Sequence, residues 1–162
     1  MNSTTLRPAT ADDGPFLQRV YRSTREEELA VVPWSDEQKA AFIEMQFRAQ
    51  DTDYRMNYPD ARFDVILLDG TPAGRLYVHR RDAEISILDI ALLPEHRGAG
   101  IGGALLRELI TEADAAGKAL EIYVEKFNRA QTLYRRLGFV EKDDTGVYWQ
   151  MVRPAPAARA GA

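Results

Sequence analysis

Apolar residues recur at helical intervals over roughly the first third of the chain, and from Phe63 onward the spacing shortens to that of strands, interrupted by two further helical stretches. Thr10 and Asp13 have the spacing of a capping box. Phe16, Leu17, Val20 and Tyr21 then follow along one face, which predicts a first helix behind a short strand at residues 4–8. Ser35 and Gln38 repeat the capping pattern, and Phe42, Met45 and Ala49 mark the stripe of a second helix that starts near residue 36 and runs into the fifties, with Pro59 as its outer limit.

Val65, Ile66, Leu67 and Leu68 form an apolar run closed by Asp69-Gly70, a common hairpin turn, and Gly74 to His79 resume the strand. A turn at Arg80 to Asp82 leads into Glu84 to Leu92, whose continuous apolar character predicts a central strand covered on both faces and ended by Pro94. Leu105, Leu106, Leu109, Ile110 and Ala113 make the apolar face of a helix capped by Gly117. Leu120, Ile122 and Val124 read as the next strand, so strand, helix and strand form a right-handed crossover with parallel neighbours. Ala130, Leu133, Tyr134 and Leu137 define one more short helix stopped by Gly138, before Phe139 to Lys142 and Val147 to Val152 pair across the turn Asp143 to Gly146. The sheet is therefore mixed, and no internal repeat is present.

Composition narrows the function. The 162 residues suffice for one ordinary domain with a real core, and Lys+Arg 21 against Asp+Glu 25 leaves a formal net charge of -4. That balance argues against a surface built to neutralise nucleic acid or anionic lipid. Cysteine is absent, which removes disulfides, thiolate metal sites and Cys nucleophiles; with only His79 and His96 to offer imidazole, no metal site is expected. The N-terminal residues show no basic region followed by an apolar core, and no stretch approaches the eighteen or so apolar residues of a membrane span. The expected compartment is the cytoplasm. Residues 154–162 hold no large apolar side chain and are expected to form a disordered tail.

The segment with chemical content is Arg97-Gly98-Ala99-Gly100-Ile101-Gly102-Gly103, between a buried strand and an amphipathic helix. Glycine lets a backbone approach a ligand closely, and the first N–H groups of a helix lack internal acceptors, so such an end attracts phosphate. Gly98, Gly100 and Gly103 also satisfy the dinucleotide fingerprint by count. That reading wants further strand–helix units, whereas only about sixty residues follow and they end in an antiparallel hairpin. A nucleoside-triphosphatase loop needs Lys and then Ser or Thr after its last glycine, where this chain has Ala104-Leu105. A purely structural turn that allows tight helix packing is the remaining alternative.

The flanks of this loop carry a family resemblance. Ile90 to Gly102 resembles the acetyl-CoA-binding segment of the GNAT N-acetyltransferases, whose pattern of Gln or Arg, two residues, Gly, one residue, then Gly or Ala is met by Arg97, Gly100 and Gly102. A second family feature is met downstream by Asn128, Ala130, Leu133, Tyr134, Gly138 and Phe139. The resemblance extends from about Phe63 to Val152 and is weaker over residues 1–62.

What the resemblance implies is an α/β fold: a single GNAT-like domain over residues 1–153 whose central, mixed, mostly antiparallel sheet contains a splayed parallel strand pair and is flanked by helices. Residues 1–62 would form a helical acceptor-side segment and 63–153 the cofactor-binding core. Acetyl-CoA is the implied cosubstrate, without a metal. Arg97, Gly98, Ala99, Gly100, Ile101, Gly102, Gly103 and Ala104 would serve its pyrophosphate, Ile90 and Leu92 would pair with its pantetheine arm like an added strand, and Asn128 would face it.

The implied chemistry is direct acyl transfer to a primary amine of a small molecule or protein N-terminus. An amine is largely protonated at neutral pH, so a base is expected. Glu84 is the candidate, because its spacing before Arg97 resembles that of the glutamate assigned as base in ribosomal-protein alanine acetyltransferases; its other reading is a polar residue at a strand entrance beside Arg80 and Arg81, with Asp89 and Ser86 in reserve. Tyr134 matches the family tyrosine that donates a proton to the departing thiolate, and the Leu92 N–H is the oxyanion donor by the same resemblance. Tyr21, Arg25, Glu28, Trp34, Gln46, Gln50, Tyr54 and Arg55 are candidates for the acceptor side, and Arg75, Arg80, Arg81 and Arg107 for the ribose phosphate. The expected partners are acetyl-CoA and an amine, with neither nucleic acid nor membrane, and the resemblance allows a homodimer. The rival functions are a non-catalytic acyl-CoA-binding module and an enzyme using a longer acyl group.

Overall fold

Local rules account for each element of the computed structural model, which describes residues 3–160. A first strand, β1 (Thr4–Pro8), precedes a short 3-10 turn in which Asp13 accepts from the Thr10 N–H at 2.7 Å and closes the expected capping box. Arg7 adds two hydrogen bonds of 2.8 Å to the same carboxylate, and their donation holds Asp13 well below the usual carboxylate range. Helix α1 (Gly14–Ala30) follows, with proline in its first turn, where a missing N–H removes no helical bond. Helix α2 (Asp36–Asn57) starts at Ser35, whose hydroxyl accepts from the Gln38 N–H at 3.1 Å while Gln38 returns a bond to the Ser35 N–H at 2.9 Å.

The stripe of α2 differs from the expected one. Met45 is 61% exposed and Ala49 is exposed as well; the buried residues are Ile43 and Phe47, which join Leu17, Tyr21, Leu29 and Val65 in one core cluster. Phe42 packs at the margin of that cluster, edge-on to Trp34 with ring centroids 5.2 Å apart. A window dominated by charged and amide residues offers two overlapping apolar registers, and contact with α1 and the sheet selects the one through Ile43 and Phe47.

The remaining elements are β2 (Arg62–Leu68), β3 (Thr71–Arg80), β4 (Glu84–Leu92), α3 (Ile101–Ala115), β5 (Ala119–Glu125), α4 (Gln131–Arg136), β6 (Val140–Asp144), β7 (Tyr148–Arg153) and a short α5 (Pro156–Ala160). Together the strands make one seven-stranded sheet of order β1-β2-β3-β4-β5-β7-β6. The β1–β2, β5–β7 and β6–β7 pairs are antiparallel, while β4 and β5 are parallel, so the sheet is mixed as the strand–helix–strand spacing requires. Within the expected tail, Arg159 of α5 donates to Asp114 at 2.7 Å, while residues 161 and 162 lie outside the described residues.

The chain divides into two compact units, one running to Leu76 and including Ile90–Ala99, the other made of Tyr77–Asp89 and the chain from Gly100 on. In the second, Leu105, Leu106, Leu109 and Ala113 of α3 are buried, as are Ile85 and Ile87 of β4 and Leu120, Ile122 and Val124 of β5. Each large aliphatic side chain withdrawn from water contributes about 1.5–3 kcal/mol. The parallel pairing runs only from Glu84 opposite Ala119 to Ile87 opposite Ile122, although β4 continues to Leu92 and β5 to Glu125. Among the described residues, no helix is long and apolar enough to cross a membrane.

Candidate active site

In the first unit, the open end of β4 is shaped by what its backbone faces. The Leu93 N–H donates to the Ala73 carbonyl at 2.9 Å, and the Ala91 oxygen lies 2.2 Å from where a Cβ on Gly74 would stand. Residues 91 and 93 therefore turn their backbone groups toward β3. Because strand backbone groups alternate direction, those of Ile90 and Leu92 point away from β3. Those are the two residues expected to hold a pantetheine arm. Arg97 Nε donates to the Leu92 carbonyl at 2.9 Å and Arg97 Nη2 to Ser23 of α1 at 3.2 Å, so this side chain ties the loop to the end of the strand.

In the second unit, α3 opens on Gly100 at φ 82°, and Gly98 two residues earlier has φ 77°, both in the left-handed region that glycine tolerates. Nothing lies within 4 Å of a Cβ built on Gly100. Among the described residues, the first backbone bond of the helix runs from the Ala104 N–H to the Gly100 carbonyl at 3.0 Å, which leaves the N–H groups of Ile101, Gly102 and Gly103 without a backbone acceptor. Arg107 lies over this turn, its Nη1 3.2 Å from the Cβ position of Gly103. Three N–H groups, the positive end of a fifteen-residue helix and a guanidinium suit a pyrophosphate.

The other arginines considered for a phosphate are engaged elsewhere: Arg75 with Gln50 at 3.0 Å, Arg80 with Glu112 at 2.6 and 2.9 Å, and Arg81 with Glu84 at 2.8 Å and Glu121 at 2.9 Å. Gly100→Ala is expected to weaken acetyl-CoA binding by tenfold or more, with the added methyl group taking up open space at the helix start where a phosphate would sit. Gly117→Ala is the control, since Gly117 has φ 69° and equally open surroundings but closes the far end of α3. Both substitutions cost about 1–2 kcal/mol of backbone strain, so calorimetric titration of the pair separates lost contact from lost stability; equal affinities would remove the loop from the site.

Tyr134 of α4 is 5% exposed and packs against Phe139 with ring centroids 5.8 Å apart. Burial, and after it the negative charge of Asp89, pushes its phenol up to about 12. Glu84, the expected base, stands at the other end of the strand from Asp89. It begins β4 at the paired end, roughly 16 Å of strand before Asp89, and its carboxylate is held by Arg81 at 2.8 Å. Ser86 is buried and donates to Glu121 at 2.6 Å, in a network that Arg81 and Gln150 complete at 2.9 Å each. The carboxylate that acts on Tyr134 is thus Asp89, on the stretch of β4 beyond the last β5 pair. Asn128 gives its Oδ1 to the Ala130 N–H at 2.9 Å at the start of α4, which leaves its amide donor for a ligand.

Two features escaped sequence reasoning. The Ser86–Glu121 pair depends on a register between strands 35 residues apart, for which the chain carries no local signal. Gly74 did carry one, since a glycine inside an apolar strand marks close backbone approach. Of the acceptor-side candidates, Tyr21, Arg25, Gln46 and Gln50 come together, while Trp34 packs on Phe42 and Arg55 stacks over Phe63 at 4.9 Å.

A Bacillus subtilis protein named as a candidate ribosomal protein bS18-alanine N-acetyltransferase is 39% identical over 85 residues, 49% of this chain and 54% of that protein. The ribosomal protein bS18-alanine N-acetyltransferase of Haemophilus influenzae is 38% identical over 61 residues, 37% of this chain and 42% of that one, so the chain spans about half the length of the curated relatives it matches. The fold matches that of the PaiA N-acetyltransferase of Thermoplasma acidophilum, solved in complex with coenzyme A, at TM-score 0.69 and 21% identity over 94% of this chain and 99% of that one. The family model of the GNAT acetyltransferases matches residues 17–139, and the chain belongs to this family.

Proposed function

We propose that the chain transfers the acetyl group of acetyl-CoA to a primary amine of a small molecule or protein N-terminus by direct attack, with Asp89 as proton acceptor and Tyr134 as donor to the departing sulfur. The observation that carries this reading is the buried phenol of Tyr134 under the charge of Asp89, on the part of β4 that has left its parallel partner. Acetyl-CoA supplies the thioester. The Gly98–Ala104 turn would hold its pyrophosphate, and the outward backbone of Ile90 and Leu92 would align its pantetheine arm, with the Leu92 N–H near the carbonyl oxygen. Asp89 receives the proton that the amine sheds on attack, and Tyr134 keeps its own proton through the neutral range to hydrogen-bond the sulfur. The relatives that act on a ribosomal protein's alanine support a terminal amine as one acceptor class. The expected compartment is the cytoplasm, in keeping with a chain without cysteine.

The test is release of free CoA from acetyl-CoA across a panel of primary amines and a peptide with a free N-terminal alanine, with the acetylated product identified by mass. Glu84→Gln is expected to keep turnover within about threefold, because an ion pair with Arg81 occupies that carboxylate. A larger loss would return the base to Glu84. Saturable acetyl-CoA binding without turnover on any amine would favour a binding module over an enzyme.

A further inference from the structure

The first unit carries a second polar cluster, which the transfer step itself does not use. Tyr21 and Arg25 stand one turn apart on α1, with the Arg25 guanidinium 5.6 Å from the Tyr21 ring centroid. Arg75 of β3, only 2% exposed, brings a second guanidinium to 5.9 Å from the same ring. From α2, Gln46 Oε1 accepts from the Tyr21 hydroxyl at 2.8 Å and Gln50 Oε1 accepts from Arg75 Nη2 at 3.0 Å. Arg25, Gln46 and Gln50 are half-buried, so the cluster has a rim that a small molecule can reach. On that rim Glu28, the more exposed member of the pair, accepts from Arg25 Nη1 at 2.9 Å, in the place that a competing carboxylate would take.

The position of the cluster ties it to the transfer chemistry. Arg75 follows Gly74, the residue that packs directly on the Ala91 carbonyl, so its strand lies about 4.8 Å from the end of β4, where the Leu92 N–H is expected to face the thioester. Guanidinium is the side chain whose planar fork matches a carboxylate with two parallel bonds, and neighbouring arginines raise the local anion affinity whatever the sign of the whole chain.

We propose that Arg25, Arg75, Tyr21 and Gln50 form the acceptor-recognition site, and that it selects a small amine bearing a carboxylate a few bonds from the nitrogen, as in a free amino acid. The proposal rests on the acetyl-transfer reading and chooses between its two acceptor classes. Arg25 supplies the fork to the carboxylate, Arg75 the second charge behind it, and Tyr21 and Gln50 hold both guanidiniums in place.

The experiment compares matched acceptors at saturating acetyl-CoA: free amino acids, their carboxamides, the amines lacking the carboxylate, and a peptide with a free N-terminus. In the wild-type chain kcat/KM is expected to be at least tenfold higher for the carboxylate member than for its carboxamide. Arg25→Gln should bring that ratio toward one, chiefly by raising KM for the carboxylate member, and Arg25→Lys, which keeps charge without the fork, should lie between. Equal wild-type rates across each matched set, preference for the peptide, or an Arg25→Gln loss shared equally by both members overturns the proposal and leaves acetyl transfer standing. Acetyl-CoA binding with no CoA release on any amine overturns both readings.

Discussion

Asp89→Asn is expected to lower kcat/KM for the best amine by about a hundredfold or more, within the range that a positioned proton acceptor contributes. The loss should depend on pH in a defined direction. At low pH nearly all of the amine is protonated, and the wild-type site gains most from a carboxylate that accepts the shed proton; at high pH solution supplies free amine and the advantage shrinks. The ratio of wild-type to variant rate is therefore expected to fall steadily between about pH 6 and pH 9. Asparagine preserves the shape, so β4 is undisturbed and acetyl-CoA affinity should stay within threefold. A flat ratio near one would show that water alone removes the proton.

Tyr134→Phe is expected to reduce kcat by about a hundredfold, with acetyl-CoA affinity again within threefold, because the lost hydroxyl acts on charge that develops only as the sulfur departs. With its phenol pushed up to about 12, Tyr134 is a weak acid beside a thiol of ordinary pKa near 8.5, so outright transfer of its proton to the thiolate is uphill and a hydrogen bond is its natural contribution. The two steps are coupled by electrostatics. Once Asp89 carries the amine's proton, its charge no longer opposes loss of the Tyr134 proton, and the phenol becomes a better donor at the moment the sulfur leaves. A double variant should accordingly lose less than the product of the single losses. Additive losses would separate the two roles, and full turnover by Tyr134→Phe would leave the ring as packing against Phe139.

Much of this was legible in the chain because strong local signals agreed with one another. Ser35 and Gln38 mark the start of α2, Asp69-Gly70 the first hairpin, and Gly117 the end of α3, and each stands where its side-chain chemistry or backbone freedom demands. The loop from Arg97 to Gly103 was legible for the same reason, since glycines before an amphipathic helix leave N–H groups open. What the chain hid was set by register and burial. Where Glu84 and Asp89 stand relative to the last pair between β4 and β5 follows from long-range placement. The convergence of Arg25 and Arg75 on Tyr21 is hidden likewise, because the contributing strand and helix are about fifty residues apart.

Gly74 offers a way to sort relatives by geometry. A side chain there would stand 2.2 Å from the Ala91 oxygen, so any homologue that carries one must hold the end of β4 farther from β3 and present its Ile90 and Leu92 equivalents at a different angle. The residue at this position is thus a one-letter indicator of whether a relative keeps this close approach of β4 to β3, readable before its structure is known. The same reasoning bars position 74 from the glycine-to-alanine replacements with which strands are ordinarily made more stable.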